Sequence, residues 1–242
     1  MATFLAIAAI GVLASEKLRK NKQVSPSGET IALILGVYGA IYGVLLAFVI
    51  VIAWEDLSTA KSRVDMESAA LASVVRDSQF FTPPVRNAIS GDMDRYVDHT
   101  VEVEWKQMSS GVVPSASNPA LESIFSTLKG YTPRNASEVA AYEQILTNLN
   151  DAIADRRARI GDSEDRLPPL LQYFIFGGAV CVIMLASLYK PKSVFDRVMV
   201  LVSITALLAA SLLVVIGLNR PFTGDISVSP DAFYRGILAQ YR

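Results

Sequence analysis

Two carboxylates and a short arginine run are the residues whose placement raises a chemical question. Glu55 follows Trp54 at the end of an uncharged stretch. Glu67 stands three residues after Val64 and four before Leu71, close to the apolar face a helix would have there. A carboxylate in that position needs a partner, because burying an unpaired charge is costly. Arg63, one turn earlier, is the nearest candidate, and arginines elsewhere in the chain are alternatives. The expected outcome is a structural ion pair, with ion binding or gating as the competing role. Arg156-Arg157-Ala158-Arg159 is a basic cluster among acids and reads as a solvated helix face rather than an anion site. His99 follows Asp98 on a polar stretch and reads as a surface histidine.

Other chemistry finds little support. The chain carries no nucleophile–base motif, P-loop, dinucleotide fingerprint or metal-binding motif. One cysteine, Cys181, and one histidine do not assemble a zinc site of the usual kind, and one cysteine makes no intrachain disulfide. The net charge of −1 gives no reason to expect nucleic acid as a partner. The reading is therefore not an enzyme, with no metal and no cofactor.

The elements that position these residues are set by hydropathy. Hydrophobic residues make up 52% of 242, concentrated in blocks around a polar middle. Residues 30–54 carry no charge and are bracketed by Glu29 and Glu55. As a helix they measure about 37 Å at ~1.5 Å per residue, enough to cross a hydrocarbon core of about 30 Å. Residues 168–189 and 198–218 are two further uncharged spans. Residues 3–14 form a shorter apolar run, followed rather than preceded by Lys17, Arg19, Lys20 and Lys22, the reverse of a signal peptide. This favours an uncleaved first span.

Between the spans the apolar residues recur at helical spacing. Leu57, Ala60, Val64, Leu71 and Val75 continue the main span as one long helix to near Phe81. Thr82-Pro83 opens the next helix, with Val85, Ile89, Met93, Tyr96, Val97 and Val101 on its apolar face. Asn118-Pro119 opens a short helix, and Asn135 with Glu138 has the form of a capping box for a longer one. The predicted fold class is all-α: an integral membrane protein with three to four transmembrane helices and an extramembrane helical bundle. Residues 1–54 hold two N-terminal spans, 55–167 the bundle, 168–218 two C-terminal spans, and 219–242 a tail with a short amphipathic helix.

Charge assigns the sides. Residues 55–167 hold twelve basic and eighteen acidic residues, while the two short loops at 15–29 and 190–197 hold seven basic and three acidic. The positive-inside rule places those loops in the cytoplasm and the bundle on the extracytoplasmic side of a bacterial cytoplasmic membrane.

Within the main span Ala32, Gly36, Gly39, Gly43 and Ala47 recur at spacings of four, three, four and four. Such a stripe lets another helix backbone approach closely; packing inside the monomer, a subunit interface and a pore wall all remain open. Val44, Phe48 and Val51 share another face and are the candidate constriction of a pore. Tyr38 and Tyr42 carry the only hydroxyls between Thr30 and Trp54, and each needs a partner in lipid.

These residues also carry a family resemblance. The run from Gly36 through Tyr42 to Trp54 and Glu55, then Ala60, Val64, Glu67 and Leu71, joins Leu167-Pro168 and a tail with Pro221, Phe222, Gly224, Val228, Pro230 and Phe233. Together they resemble uncharacterised bacterial membrane proteins of the bestrophin-like domain family, over nearly the whole chain. Bestrophins are pentameric anion channels with a hydrophobic neck, so the resemblance implies a homo-oligomeric passive anion channel. Their calcium-binding acidic cluster has no counterpart here. The competing reading is a non-catalytic accessory or assembly subunit of a larger membrane complex. The partners expected are the lipid bilayer and either further copies of the chain or other membrane subunits.

Overall fold

The computed structural model describes residues 28–164, 166–189 and 193–241. The run at 3–14, expected as a first span, lies outside them. The described chain is all-α, as the periodicity predicts. Helices α1 (Gly28–Asp77), α2 (Pro83–His99), α3 (Trp105–Ser109), α4 (Pro119–Lys129), α5 (Ala136–Glu164), α6 (Pro169–Leu188) and α7 (Val194–Leu218) follow one another. A π-helical turn, Thr100–Glu104, joins α2 to α3 without a break. Among the described residues three helices are long and apolar enough to cross a membrane: α1, α6 and α7.

The helix ends obey local chemistry. Pro83 and Pro119 sit in first turns, where no backbone donor is lost. Asn118 caps α4 by accepting the Ala120 amide at 3.0 Å. At the start of α5 the Asn135 side chain accepts the Glu138 amide at 2.9 Å, and the Glu138 carboxylate reaches back to the Arg134 amide at 2.9 Å.

The chain divides into two units, residues 28–54 with 166–219 and residues 55–164 with 220–241. In the first, α6 and α7 form a hairpin whose open end is tied by the Leu167 amide donating to Asn219 Oδ1 at 2.8 Å. The core is Tyr42, Leu46 and Val49 of α1 against Ile175, Ala179 and Val182 of α6 and Leu208, Leu212 and Val215 of α7. α1 and α6 meet closely at Gly178. A Cβ built there would lie 2.3 Å from Tyr42 Cε2. The Tyr42 hydroxyl donates to the Ile175 carbonyl at 2.7 Å, which gives it the partner expected in lipid.

In the second unit the stripe Ala60, Val64, Leu71 and Val75 meets Ile89, Met93, Tyr96 and Val97 of α2, Ile124 and Leu128 of α4, and Ile145 and Leu149 of α5. The C-terminal segment completes this core. Phe222, Val228, Phe233, Leu238 and Tyr241 are all buried in it, and the Tyr241 and Ser90 hydroxyls lie 2.9 Å apart. The amphipathic helix expected from Ser229-Pro230 onward is instead two 3-10 turns, Pro230–Tyr234 and Gly236–Gln240. Arg235 is extended and Gly236 has φ +58, so the periodic apolar pattern is met by a kinked segment. Ahead of these turns the Val228 amide donates to the Pro221 carbonyl at 2.8 Å across a turn with Gly224 at φ +86.

Candidate functional site: a buried arginine–glutamate network

The α1 stripe delivers Glu67 into the centre of the second unit, fully buried. Its partner is not Arg63, which turns to Asp162 at 2.9 Å. Arg159 of α5 holds it instead, with Nε 2.7 Å from Oε2 and Nη2 3.1 Å from Oε1. The same Nη2 reaches Glu104 Oε2 at 2.8 Å, and Arg156 donates to Glu104 Oε1 from Nη2 at 2.8 Å and Nε at 3.2 Å. The Tyr96 hydroxyl donates to Glu67 Oε1. Arg156 also donates to the carbonyls of Ser115 and Ala116, both at 2.7 Å, and so fixes the loop between α3 and α4.

The expectation for the arginine cluster is therefore corrected. Only Arg157 is exposed; Arg156 and Arg159 are 2% and 0% exposed. The signal was present in the spacing. Ile145, Leu149, Ala152, Arg156 and Arg159 follow one another at four, three, four and three, so the arginines prolong the apolar face. Glu104 and Trp105 were missed because the π turn intervenes. With more residues per turn than an α-helix, it sets His99 and Glu104, five apart, side by side, with His99 Nδ1 3.3 Å from Glu104 Oε1. The histidine read as a surface residue is half-buried over the edge of the network, beside Asn118.

Aromatic rings close the other side. The Arg159 guanidinium lies 5.3 Å from the Trp105 ring centroid and 6.0 Å from that of Phe233. Phe222 meets Trp105 edge-on at 5.6 Å, and the Trp105 indole donates to the Val228 carbonyl at 3.2 Å. Of the tail residues picked out by resemblance, Pro221 and Phe222 are buried, and Gly224 makes the turn that brings Val228 back.

Two carboxylates and two guanidiniums sum to zero charge, each carboxylate oxygen is donated to, and Arg159 stays protonated because Glu67 and Glu104 outweigh the cost of burying it. The arrangement offers no activated nucleophile. Among the described residues no group of three His, Cys, Asp or Glu could hold a metal ion. What the geometry does is fix α1, the π turn, α5 and the tail in one register.

The network has an acid signature. Burial raises the Glu104 pKa, but the guanidiniums of Arg159 and Arg156 outweigh it and hold the carboxyl below its ordinary value of 4.5. A depressed folded pKa contributes stability above the unfolded value, about 4.3, and loses it as pH falls through the folded one. The melting temperature should stay level from pH 7 to about 5 and fall below about 4. Glu104→Gln should remove part of that fall, as a melting series against pH would show.

The remaining sequence candidates, Glu55 apart, lie in the first unit. Gly36, Gly39 and Gly43 line a groove of about 620 Å³ whose other walls include Val182, Ile204 and Leu208. Among the described residues, nothing lies within 4 Å of a Cβ built on any of the three glycines, so no described helix makes the close contact the stripe invites. Val44, Phe48 and Val51 are 57%, 62% and 52% exposed, so that face is largely uncovered among the described residues. Trp54 and Glu55 are exposed as well.

The buried Glu67, Phe222 and Phe233, contributed by chain segments far apart in sequence, are among the residues on which the resemblance rests. The bestrophin-like domain model matches residues 2–233. The chain belongs to the bestrophin-like family. No curated protein and no solved structure matches this bestrophin-like chain. The family match thus spans both units, the span hairpin and the buried network alike.

Proposed function

We propose that this bestrophin-like protein is a subunit of a homo-oligomeric ion channel that passes anions passively and catalyses no reaction. The observation that carries the proposal is the open face of α1. Residues 30–54 of α1 carry no charge, and Val44, Phe48 and Val51 are each more than half exposed among the described residues. Several copies turning this face to a common axis would enclose an apolar constriction, which gates by excluding water. Proton-coupled carriers place Asp, Glu or His at membrane depth; the three spans have none between residues 30–54, 168–189 or 198–218. Phe48→Ala and Val51→Ser should widen or wet the constriction and raise chloride flux in liposomes. Flux no greater than that of empty liposomes, from wild type and both variants, would leave the accessory-subunit reading in front. The mass of the gently solubilised particle separates the two further: a closed ring of copies fits the channel, one copy among other chains the subunit.

The same proposal places the bundle on the extracytoplasmic face of a bacterial cytoplasmic membrane. Its support is the charge split between loops and bundle; the return of residues 220–241 to the core they share with 55–164 fits a pair of spans between them in either orientation. A chain that leaves a unit and rejoins it through two spans comes back to the side it left. In a Cys181→Ser background, Ser110→Cys should react with an impermeant maleimide from outside and Ser193→Cys should not. The opposite pattern reverses the topology.

A further inference from the structure

Residues 107–121 are the longest stretch of the second unit without Asp, Glu, Lys or Arg. Of the larger apolar side chains there, Met108, Pro114 and Leu121 are buried, while Val112 and Val113 are 55% and 45% exposed. Their exposure is built in. The Gly111 amide donates to the Met108 carbonyl at 3.0 Å and the Val112 amide to the Gln107 carbonyl at 2.9 Å, with Gly111 at φ +77. This is a glycine stop of the kind that ends many helices, in which the residue after the glycine often packs on the one that accepts its bond. Here that acceptor is Gln107, a polar residue, and Val112 stays bare. Buried Pro114 and the two Arg156 bonds to Ser115 and Ala116 hold the residues that follow against the core. A fixed turn therefore presents two adjacent valines to the surroundings.

The turn has a fixed neighbour. A Cβ built on Gly111 would lie 3.7 Å from Arg220 Nη1. Arg220 is exposed and belongs to the same unit. It stands two residues after Leu218, the last residue of α7, hence within about 8 Å along the chain of the end of an uncharged span. Exposed apolar residues scattered singly are ordinary. These two are adjacent, carried on a charge-free turn, and next to a guanidinium tied to the end of a span. An acyl surface accepts valines and rejects charge, and a lipid phosphate pairs with arginine. We propose that turn 110–113 is a lipid anchor of the second unit. Val112 and Val113 enter the acyl chains just below the headgroups, Arg220 takes a lipid phosphate, and the Ser109 and Ser110 hydroxyls stay in the hydrated headgroup layer.

The test uses the full chain with Cys181→Ser, reconstituted in vesicles of phosphatidylcholine and phosphatidylglycerol. A bimane on Val113→Cys should emit to the blue of the same label on Phe80→Cys, an exposed residue beyond the C-terminal end of α1. Lipids brominated next to the headgroup, present in both leaflets, should quench it about twofold more than the reference. Equal quenching at the two positions overturns the proposal. So does a blue shift without bromine quenching, which would put another protein surface, a second copy included, over the turn. Arg220→Gln should weaken the quenching at Val113→Cys, and quenching unchanged by it overturns the arginine's part.

Discussion

Arg159→Met should be the most damaging single change in the second unit. It leaves Glu67 and Glu104, both buried, facing Arg156 as the one remaining guanidinium of the network. Removing one member of a buried ion pair costs about 3–5 kcal/mol, because the other charge stays behind without compensation. Glu67→Gln should cost less, since the amide keeps an acceptor for Arg159. The double variant should be less unstable than the two singles summed, because it removes one charge of each sign and leaves Glu104 with Arg156. Arg157→Met, two residues away and exposed, should stay within about 0.5 kcal/mol of wild type. Denaturant melts followed by tryptophan emission would read this directly, as Trp105 lies against Arg159. If Arg159→Met melts like Arg157→Met, the network is not what holds the unit together.

Gly178→Ala should be the counterpart in the first unit. The added methyl would meet Tyr42 Cε2 at 2.3 Å and Cδ2 at 2.6 Å, and the ring is held by its hydroxyl bond to Ile175. Overpacking of this kind costs about 1–3 kcal/mol. Its neighbour is the control. A Cβ at Gly177 meets nothing within 4 Å among the described residues, so Gly177→Ala should be neutral or stabilise by up to about 1 kcal/mol through helix propensity. In a Tyr42→Ala background the added methyl should cost little, so the two changes should be clearly non-additive. Equal melting of the two glycine variants would mean that α1 and α6 do not meet at this notch.

The sequence made the helices legible because each obeys one period over a long stretch. The spans follow from runs without charge, and the caps at Asn118 and Asn135 from single residues before apolar runs. Glu67 was legible as a carboxylate on an apolar face. Its partner was not, since Arg63 is nearer in sequence while Arg159, ninety-two positions on, is nearer in space. Charge content alone made the arginine run look solvated; only its phase relative to Leu149 and Ala152 shows which members turn inward. Glu104 was harder still, because one π turn shifts the phase after His99 and sequence periodicity assumes a constant pitch. The tail's kink at Arg235 and Gly236 escaped for the opposite reason: Phe233, Ile237, Leu238 and Tyr241 mimic a helix face that the backbone does not form.

The tail's place in the core bears on how the protein is made. Phe222 and Phe233 leave the ribosome only after α6 and α7, yet Trp105 and Arg159, synthesised earlier, have one of their walls built from them. Until that wall arrives, a tryptophan and a charged quartet wait incompletely covered. The last wall of that core can therefore close only once α6 and α7 have been made.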